Sequence, residues 1–210
     1  MRSDFTDVTM VVDRSGSMEQ IRSDAEGGIN AFVVEQAKLP GECRITLVQF
    51  DTEYEFVHRG ILASEWTRYQ LVPRGSTALL DAVGRAIIET GTRISAMPES
   101  ERPGLVVFVI TTDGMENASR EFNVAKVKQM IAHQQTKYNW KFNFLAANQE
   151  AFGQARDLGI NLGGAAVWGE GKTGNAHATY GQMLGRMRSA ASKGEKVENL
   201  FTDEERKQME

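Results

Sequence analysis

Three short segments of this 210-residue chain place small oxygen-bearing side chains next to apolar runs. The first, Asp13-Arg14-Ser15-Gly16-Ser17, directly follows the apolar residues 8–12 and combines one carboxylate with two hydroxyls. A hard divalent cation such as Mg²⁺ takes oxygen ligands at about 2.1 Å, keeps several waters and is usually held by one or two carboxylates. The segment therefore predicts a cation site at the end of a buried strand.

Two later segments offer matching oxygens. Gly75-Ser76-Thr77 precedes an amphipathic stretch that predicts a helix, and Thr111-Thr112-Asp113-Gly114 follows the apolar residues 105–110. Ligands of parallel α/β sheets bind beyond the carboxyl ends of the strands, where the topology reverses. We therefore expect Asp13 and Asp113 to lie together at that edge.

These loops resemble the metal-ion-dependent adhesion site of the von Willebrand factor A (vWA) domain family, whose pattern is Asp-x-Ser-x-Ser, then Thr, then Asp. The matching positions are Asp13, Ser15, Ser17, Thr77 and Asp113. The resemblance covers roughly residues 5–168. Residues 144–152 are also similar to stand-alone vWA proteins encoded by bacteria and their phages.

The resemblance implies a divalent-cation-dependent protein-binding, or adaptor, module. It implies that Ser15, Ser17 and Thr77 coordinate Mg²⁺ (or Mn²⁺ or Ca²⁺) directly, and that Asp13 and Asp113 do so directly or through waters. Neutral hydroxyls leave much of the ion's charge uncompensated, so an Asp or Glu carboxylate of a partner protein can fill the open position. Affinity must then come from the surrounding surface.

Six neighbours of the motif are candidates for a partner-binding rim. They are Arg14, Met18, Arg74, Met115, Glu116 and Asn148. Arg14 and Arg74 would favour an acidic partner, or they are solvated loop charges. Glu116 could cap the local turn and Asn148 could cap a helix.

The wider sequence alternates strand and helix patterns, which predicts a Rossmann-like α/β fold with helices on both faces of a mostly parallel sheet. The predicted strands are 9–12, 44–50, 53–59, 105–110, 140–147 and 165–168, with 53–59 as an antiparallel edge strand. The predicted helices are 18–37, 78–94, 121–135, 151–158 and 176–191. We expect a vWA domain over residues 1–170, and a C-terminal helix and charged tail over 171–210 that pack on it or extend from it.

The composition is that of a soluble globular protein, with 41% hydrophobic and 25% charged residues. A net charge of −4 argues against nucleic acid as a bulk electrostatic partner. The single cysteine, Cys43, cannot form an intramolecular disulfide. No apolar run approaches the roughly 20 residues that span a bilayer. We also expect no signal peptide, because the apolar residues 8–12 follow the first residue of the sequence almost at once. We expect a cytoplasmic protein, in the host cytoplasm if phage-encoded, without a membrane partner.

Two other functions are compatible with the sequence. A bound Mg²⁺ could serve phosphoryl transfer or hydrolysis, but the chain lacks the phosphate-binding Gly-x-x-x-x-Gly-Lys-Ser/Thr loop and the Gly-x-Ser-x-Gly frame of hydrolases. We therefore expect a non-catalytic protein. Alternatively, the protein could self-associate, with a tail carboxylate such as Glu204 or Glu205 filling the metal position of another copy.

Overall fold

The computed structural model describes residues 1–167 and 173–209. In these residues, six strands form one sheet in the order β3-β2-β1-β4-β5-β6. The strands are β1 (Arg2–Asp13), β2 (Glu42–Phe50), β3 (Tyr54–Leu62), β4 (Pro103–Thr112), β5 (Lys141–Ala146) and β6 (Ala165–Val167). The helices are α1 (Arg22–Lys38), α2 (Leu79–Ser95), α3 (Val124–Tyr138), α4 (Gln149–Asp157), α5 (Thr173–Ser192) and α6 (Asp203–Met209).

The sheet is buried on both faces, which explains its continuous apolar strands. Successive residues of β1 point to opposite sides: Met10 and Val12 join a core with α1 and α5, whereas Val11 joins a core with α2, α3 and α4. β1 pairs in parallel with both β2 and β4, and β3 pairs antiparallel with β2. The predicted Rossmann-like α/β fold with one antiparallel edge strand is confirmed.

The first helix begins later than its periodicity predicts. Gly16–Ile21 forms a 3-10 helix, and α1 follows from Arg22. The tighter turn opens with an i→i+3 hydrogen bond, in which Met18 N donates to Ser15 O at 3.0 Å. The Met18 side chain is fully buried in the core.

Helix α5 contributes to the same core as α1. Tyr180 stacks on Phe32 of α1 with ring centroids 5.3 Å apart. The buried Arg188 guanidinium donates to the carbonyl oxygens of Gln36 and Pro40 at the far end of α1, at 2.8 and 3.1 Å. The predicted strand end at Trp168 and the predicted boundary at residue 170 lie outside the described residues.

The charged tail packs on the domain. Phe201 and Met209 are buried in the core, and Arg206 donates to the carbonyl oxygens of Gly163 and Ala165, at 2.9 and 3.3 Å, where β6 begins. Glu205 is only 5% exposed and pairs with Arg186 at 2.7 Å. The expectation that Glu205 could serve as a ligand for another copy is therefore wrong, whereas Glu204 is exposed. Among the described residues, no helix combines the length and apolar character that crossing a bilayer requires.

Candidate metal centre

The Asp13 carboxylate lies at the carboxyl end of β1, fully buried and oriented by two donors. Ser15 N donates to Asp13 Oδ1 at 2.7 Å, and Thr112 Oγ1 donates to Asp13 Oδ2 at 2.6 Å. Gly114 N in turn donates to Thr112 Oγ1 at 3.1 Å. The first and third loops are thereby connected through this carboxylate.

A chain of hydroxyls leads from the interior to the surface. Ser15 Oγ lies 3.2 Å from Ser17 Oγ, and Ser17 Oγ donates to Asp113 Oδ1 at 2.8 Å. Ser15 is buried, Asp113 is partly buried and Ser17 is exposed. The site therefore opens to solvent on the side of Ser17.

The second loop joins these oxygens beside Gly114. A Cβ atom built on Gly114 would lie 3.1 Å from Thr77 Oγ1, 3.6 Å from Ser17 Oγ and 3.7 Å from Asp13 Oδ2. Oxygens of the first and second loops thus surround the space beside Gly114, which itself belongs to the third loop. The structure brings together the residues that the motif predicts: Asp13, Ser15, Ser17, Thr77 and Asp113.

This donor set suits a hard divalent cation. It offers two carboxylates and three hydroxyls, which are ligands of the kind that Mg²⁺ and Mn²⁺ prefer, without nitrogen or sulfur. Within the described parts of the chain, no three His, Cys, Asp or Glu side chains cluster into a metal cage. The two-carboxylate site is compatible with that result, because most of its donors are neutral hydroxyls.

The electrostatics of the two carboxyl groups also favour a cation. Burial raises the pKa of Asp13 to about 6, although the hydrogen bonds from Thr112 and Ser15 oppose the shift. Burial likewise raises the pKa of Asp113. Both shifts mean that burial makes the ionised form of each carboxyl group less stable when no opposite charge is near. A bound cation would supply that charge.

Three amide side chains, none of which stands in the metal motif, hold the second and third loops. Asn117 Oδ1 accepts from Thr77 N at 3.0 Å. Asn148 Nδ2 donates to the carbonyl oxygen of Asp113 at 2.7 Å while its Oδ1 caps α4. Gln154 Nε2 donates to the carbonyl oxygen of Gly114 at 2.9 Å.

Sequence reasoning missed the orienting roles of Thr112 and Gln154. The adjacency of Thr112 to Asp113 was a signal for the first. Nothing in the pattern of α4 distinguishes Gln154, because its role depends on how α4 packs against the third loop.

The candidate rim residues differ in where they lie. Met18 is in the core and Arg14 is only 4% exposed, so the expectation that these two side chains line the rim is wrong. The Glu116 carboxylate accepts from Leu80 N and Ser119 N, at 2.9 and 2.7 Å, and so caps α2 and the third loop. Met115 is exposed.

Arg74, another candidate rim residue, is partly exposed, but its guanidinium pairs with Asp51, Glu53 and Glu55. Arg14 pairs with the same three carboxylates. Neither arginine is the solvated loop charge that the sequence allowed, and neither presents an uncompensated charge to an acidic partner.

No protein-family profile matches the sequence, and neither does any curated protein. Solved structures do match it. They include a von Willebrand factor type A protein from Catenulispora acidiphila (17% identity, TM-score 0.56, covering 89% of this chain and 42% of that one). Manganese-loaded TRAP protein of Plasmodium vivax has 13% identity and a TM-score of 0.57, over 83% and 72% of the two chains. Proximal thread matrix protein 1 from the mussel byssus has a zinc-occupied MIDAS (metal-ion-dependent adhesion site) motif. Its identity is 12% and its TM-score is 0.53, over 90% of this chain and 45% of that one.

At these identities the likeness concerns the fold. The chain has the Rossmann-like fold of vWA domains, and it spans less than half the length of the Catenulispora protein. Structures with this fold include a manganese-loaded protein and one with a zinc-occupied MIDAS motif.

Proposed function

We propose that this chain is a non-catalytic, divalent-cation-dependent protein-binding module, in which a metal-ion-dependent adhesion site coordinates an Asp or Glu carboxylate of a partner protein. One observation carries the proposal: the oxygens of Asp13 and Ser17 in the first loop and of Thr77 in the second surround the space beside Gly114 of the third loop. The fold neighbours with manganese or an occupied MIDAS motif support the same function.

The residues Asp13, Ser15, Ser17, Thr77 and Asp113 would hold the ion, and Mg²⁺ is the proposed cation, with Mn²⁺ or Ca²⁺ as alternatives. When bound, the ion supplies a positive charge that attracts an outside carboxylate. Thr112 and the backbone of Ser15 orient the Asp13 carboxylate, and Asn148 fixes the backbone of Asp113. The exposed Ser17 marks the side from which a partner carboxylate would approach.

Metal binding can be tested by titration calorimetry with Mg²⁺ and Mn²⁺. Ser17→Ala removes one hydroxyl from the surface side of the site, and we expect it to weaken binding at least tenfold. Ser23→Ala removes an exposed hydroxyl in α1 and is the matched control, which should bind as the wild type does. Absence of Mg²⁺ and Mn²⁺ uptake by the folded wild-type protein would refute the proposal.

Partner binding can be tested by affinity capture from extracts of the cells that produce the protein, in Mg²⁺ and in chelator. Specific partners should be retained in Mg²⁺, released by chelator and lost with Asp13→Ala. Persistent capture by a folded, metal-free Asp13→Ala protein would contradict the mechanism. Metal-dependent hydrolysis of ATP or a model phosphate ester, abolished by Asp113→Ala, would instead indicate an enzyme.

A further inference from the structure

An ion-pair cluster lies beside the metal loops and involves none of the ligands. It consists of Arg14, Asp51, Glu53, Glu55 and Arg74, and is called the Asp51 cluster below. Arg14 stands between Asp13 and Ser15 in the first loop, and Arg74 stands three residues before Thr77. The three carboxylates come from the turn between β2 and β3 and from the start of β3.

Asp51 is the centre of this cluster, because one of its carboxylate oxygens contacts both arginines. Arg14 Nε lies 3.1 Å from Asp51 Oδ2, as an ion-pair contact rather than an aligned hydrogen bond. Arg74 Nε donates to the same oxygen at 2.7 Å. Asp51 is only 2% exposed, so its contacts are shielded from water. Glu53 and Glu55 lie farther out, with side chains 64% and 43% exposed.

Backbone hydrogen bonds around Asp51 also connect the first and second metal loops. Arg14 N donates to Phe50 O at 2.8 Å, and Ala78 N donates to Asp51 O at 3.0 Å. Arg74 N donates to Arg14 O at 2.7 Å, which joins the two loops to each other. The turn after β2 therefore contacts both the segment that carries Asp13 and Ser15 and the segment that carries Thr77.

The third loop is supported differently. Asn148 and Gln154 of the α4 region bind its carbonyl oxygens. The Asp51 cluster thus acts on the spacing between the first and second loops. That spacing matters for Mg²⁺, which demands near-ideal octahedral geometry, and much less for Ca²⁺, which accepts flexible geometry at longer distances.

We propose that Asp51 is a positioning residue of the metal site, which holds the first and second loops at the separation that Mg²⁺ requires. The inference rests on the proposed metal-binding function. Asp51→Asn keeps the shape of the side chain but removes the charge, which leaves the buried Arg14 without its buried counter-charge. The two loops should then separate or shift, although every ligand remains in place.

The test compares Asp51→Asn with Asp7→Asn. Asp7 is also fully buried and pairs with an arginine, since Arg93 Nη1 and Nη2 donate to its two carboxylate oxygens at 2.6 and 2.9 Å. It lies in β1, toward the opposite end of the sheet from the metal loops. Both variants lose a buried ion pair, so both should be destabilised, but only Asp51 contacts the metal loops.

Calorimetry is performed with Mg²⁺ and Ca²⁺ at a temperature well below the unfolding midpoint of each variant. Asp51→Asn should weaken Mg²⁺ binding at least tenfold and Ca²⁺ binding less, so that the Mg²⁺/Ca²⁺ affinity ratio falls. Asp7→Asn should leave that ratio unchanged. A destabilising effect without positioning would not change the ratio.

Unchanged Mg²⁺ affinity in folded Asp51→Asn would overturn the inference. An equal loss of Mg²⁺ affinity in Asp51→Asn and Asp7→Asn would overturn it as well. If Asp51→Asn does not fold, Arg74→Gln decides, because Arg74 is partly exposed and its removal takes one cation from Asp51. Wild-type Mg²⁺ affinity in Arg74→Gln would then refute the positioning role, and a lower affinity ratio would support it. Absence of metal uptake by the wild-type protein is a separate outcome, which refutes the proposed function itself.

Discussion

Gly114→Ala is the sharpest perturbation of the proposed metal site, because it adds one methyl group and removes no ligand. The new Cβ would lie 3.1 Å from Thr77 Oγ1, which is tighter than nine in ten Cβ contacts in proteins. Gly114 does not have a positive φ, so alanine fits its backbone conformation. The substitution therefore crowds the oxygens without straining the loop.

The expected magnitude follows from this crowding. The Thr77 oxygen must move by a few tenths of an ångström, whereas metal–ligand distances in proteins hold to about 0.2 Å. Overpacking of this kind typically costs about 1–3 kcal/mol. If the ion-bound state bears that cost, Mg²⁺ affinity falls by a factor of about 5 to about 140, since 1.4 kcal/mol corresponds to a factor of ten.

The assay is calorimetric titration with Mg²⁺, with Gly153→Ala as the control. Gly153 lies in α4, and a Cβ added there meets no atom within 4 Å. Alanine is favoured over glycine inside a helix by about 0.5–1 kcal/mol, so Gly153→Ala should be slightly more stable and bind Mg²⁺ normally. Wild-type Mg²⁺ affinity in Gly114→Ala would show that the oxygens around residue 114 do not form the ion's coordination shell.

Three further predictions concern stability. Met18→Ala should lower the free energy of unfolding by about 2–5 kcal/mol in urea denaturation, because Met18 is fully buried; a change below about 0.5 kcal/mol would indicate a surface residue instead. The hydrogen bond from Arg14 lowers the pKa of Glu55 from 4.5 to about 2, so its stabilising contribution is present above about pH 4.5 and is lost toward pH 2. The difference in thermal midpoint between wild type and Glu55→Gln should therefore shrink over that interval, and a constant difference would contradict the ion pair. Mg²⁺ at a hundred times its Kd should stabilise the wild type by about 2.7 kcal/mol, measured by denaturation with and without chelator, and equal stabilisation of Ser17→Ala would contradict the assigned ligands.

Much of the fold was predictable, because periodicity reports which residues face a core. The residues 105–110 indicate a strand covered on both faces, and they lie in β4 at the centre of the sheet. The grouping of Asp13 with Asp113 was also predictable, since the carboxyl ends of neighbouring parallel strands share one edge. Helix boundaries were less accurate, as the 3-10 helix before α1 shows.

The environment of single side chains was not predictable. Arg14 is adjacent to two predicted ligands, yet its guanidinium turns to carboxylates about forty positions along the chain. Met18 follows the motif directly but faces the core. Sequence adjacency fixes where a backbone lies, whereas the direction of a side chain depends on partners that the fold brings from elsewhere.

The way the C-terminal tail lies against β6 has a consequence for solubility. An outermost strand with unpaired backbone groups is a template for intermolecular pairing and aggregation. β6 is only three residues long, and Arg206 occupies carbonyl oxygens at its start. At the opposite edge of the sheet, β3 pairs with β2 in an irregular register, which makes β3 a less regular template for another strand. A version of the protein that ends before α6 would expose the edge strand β6 and become prone to polymerise through it.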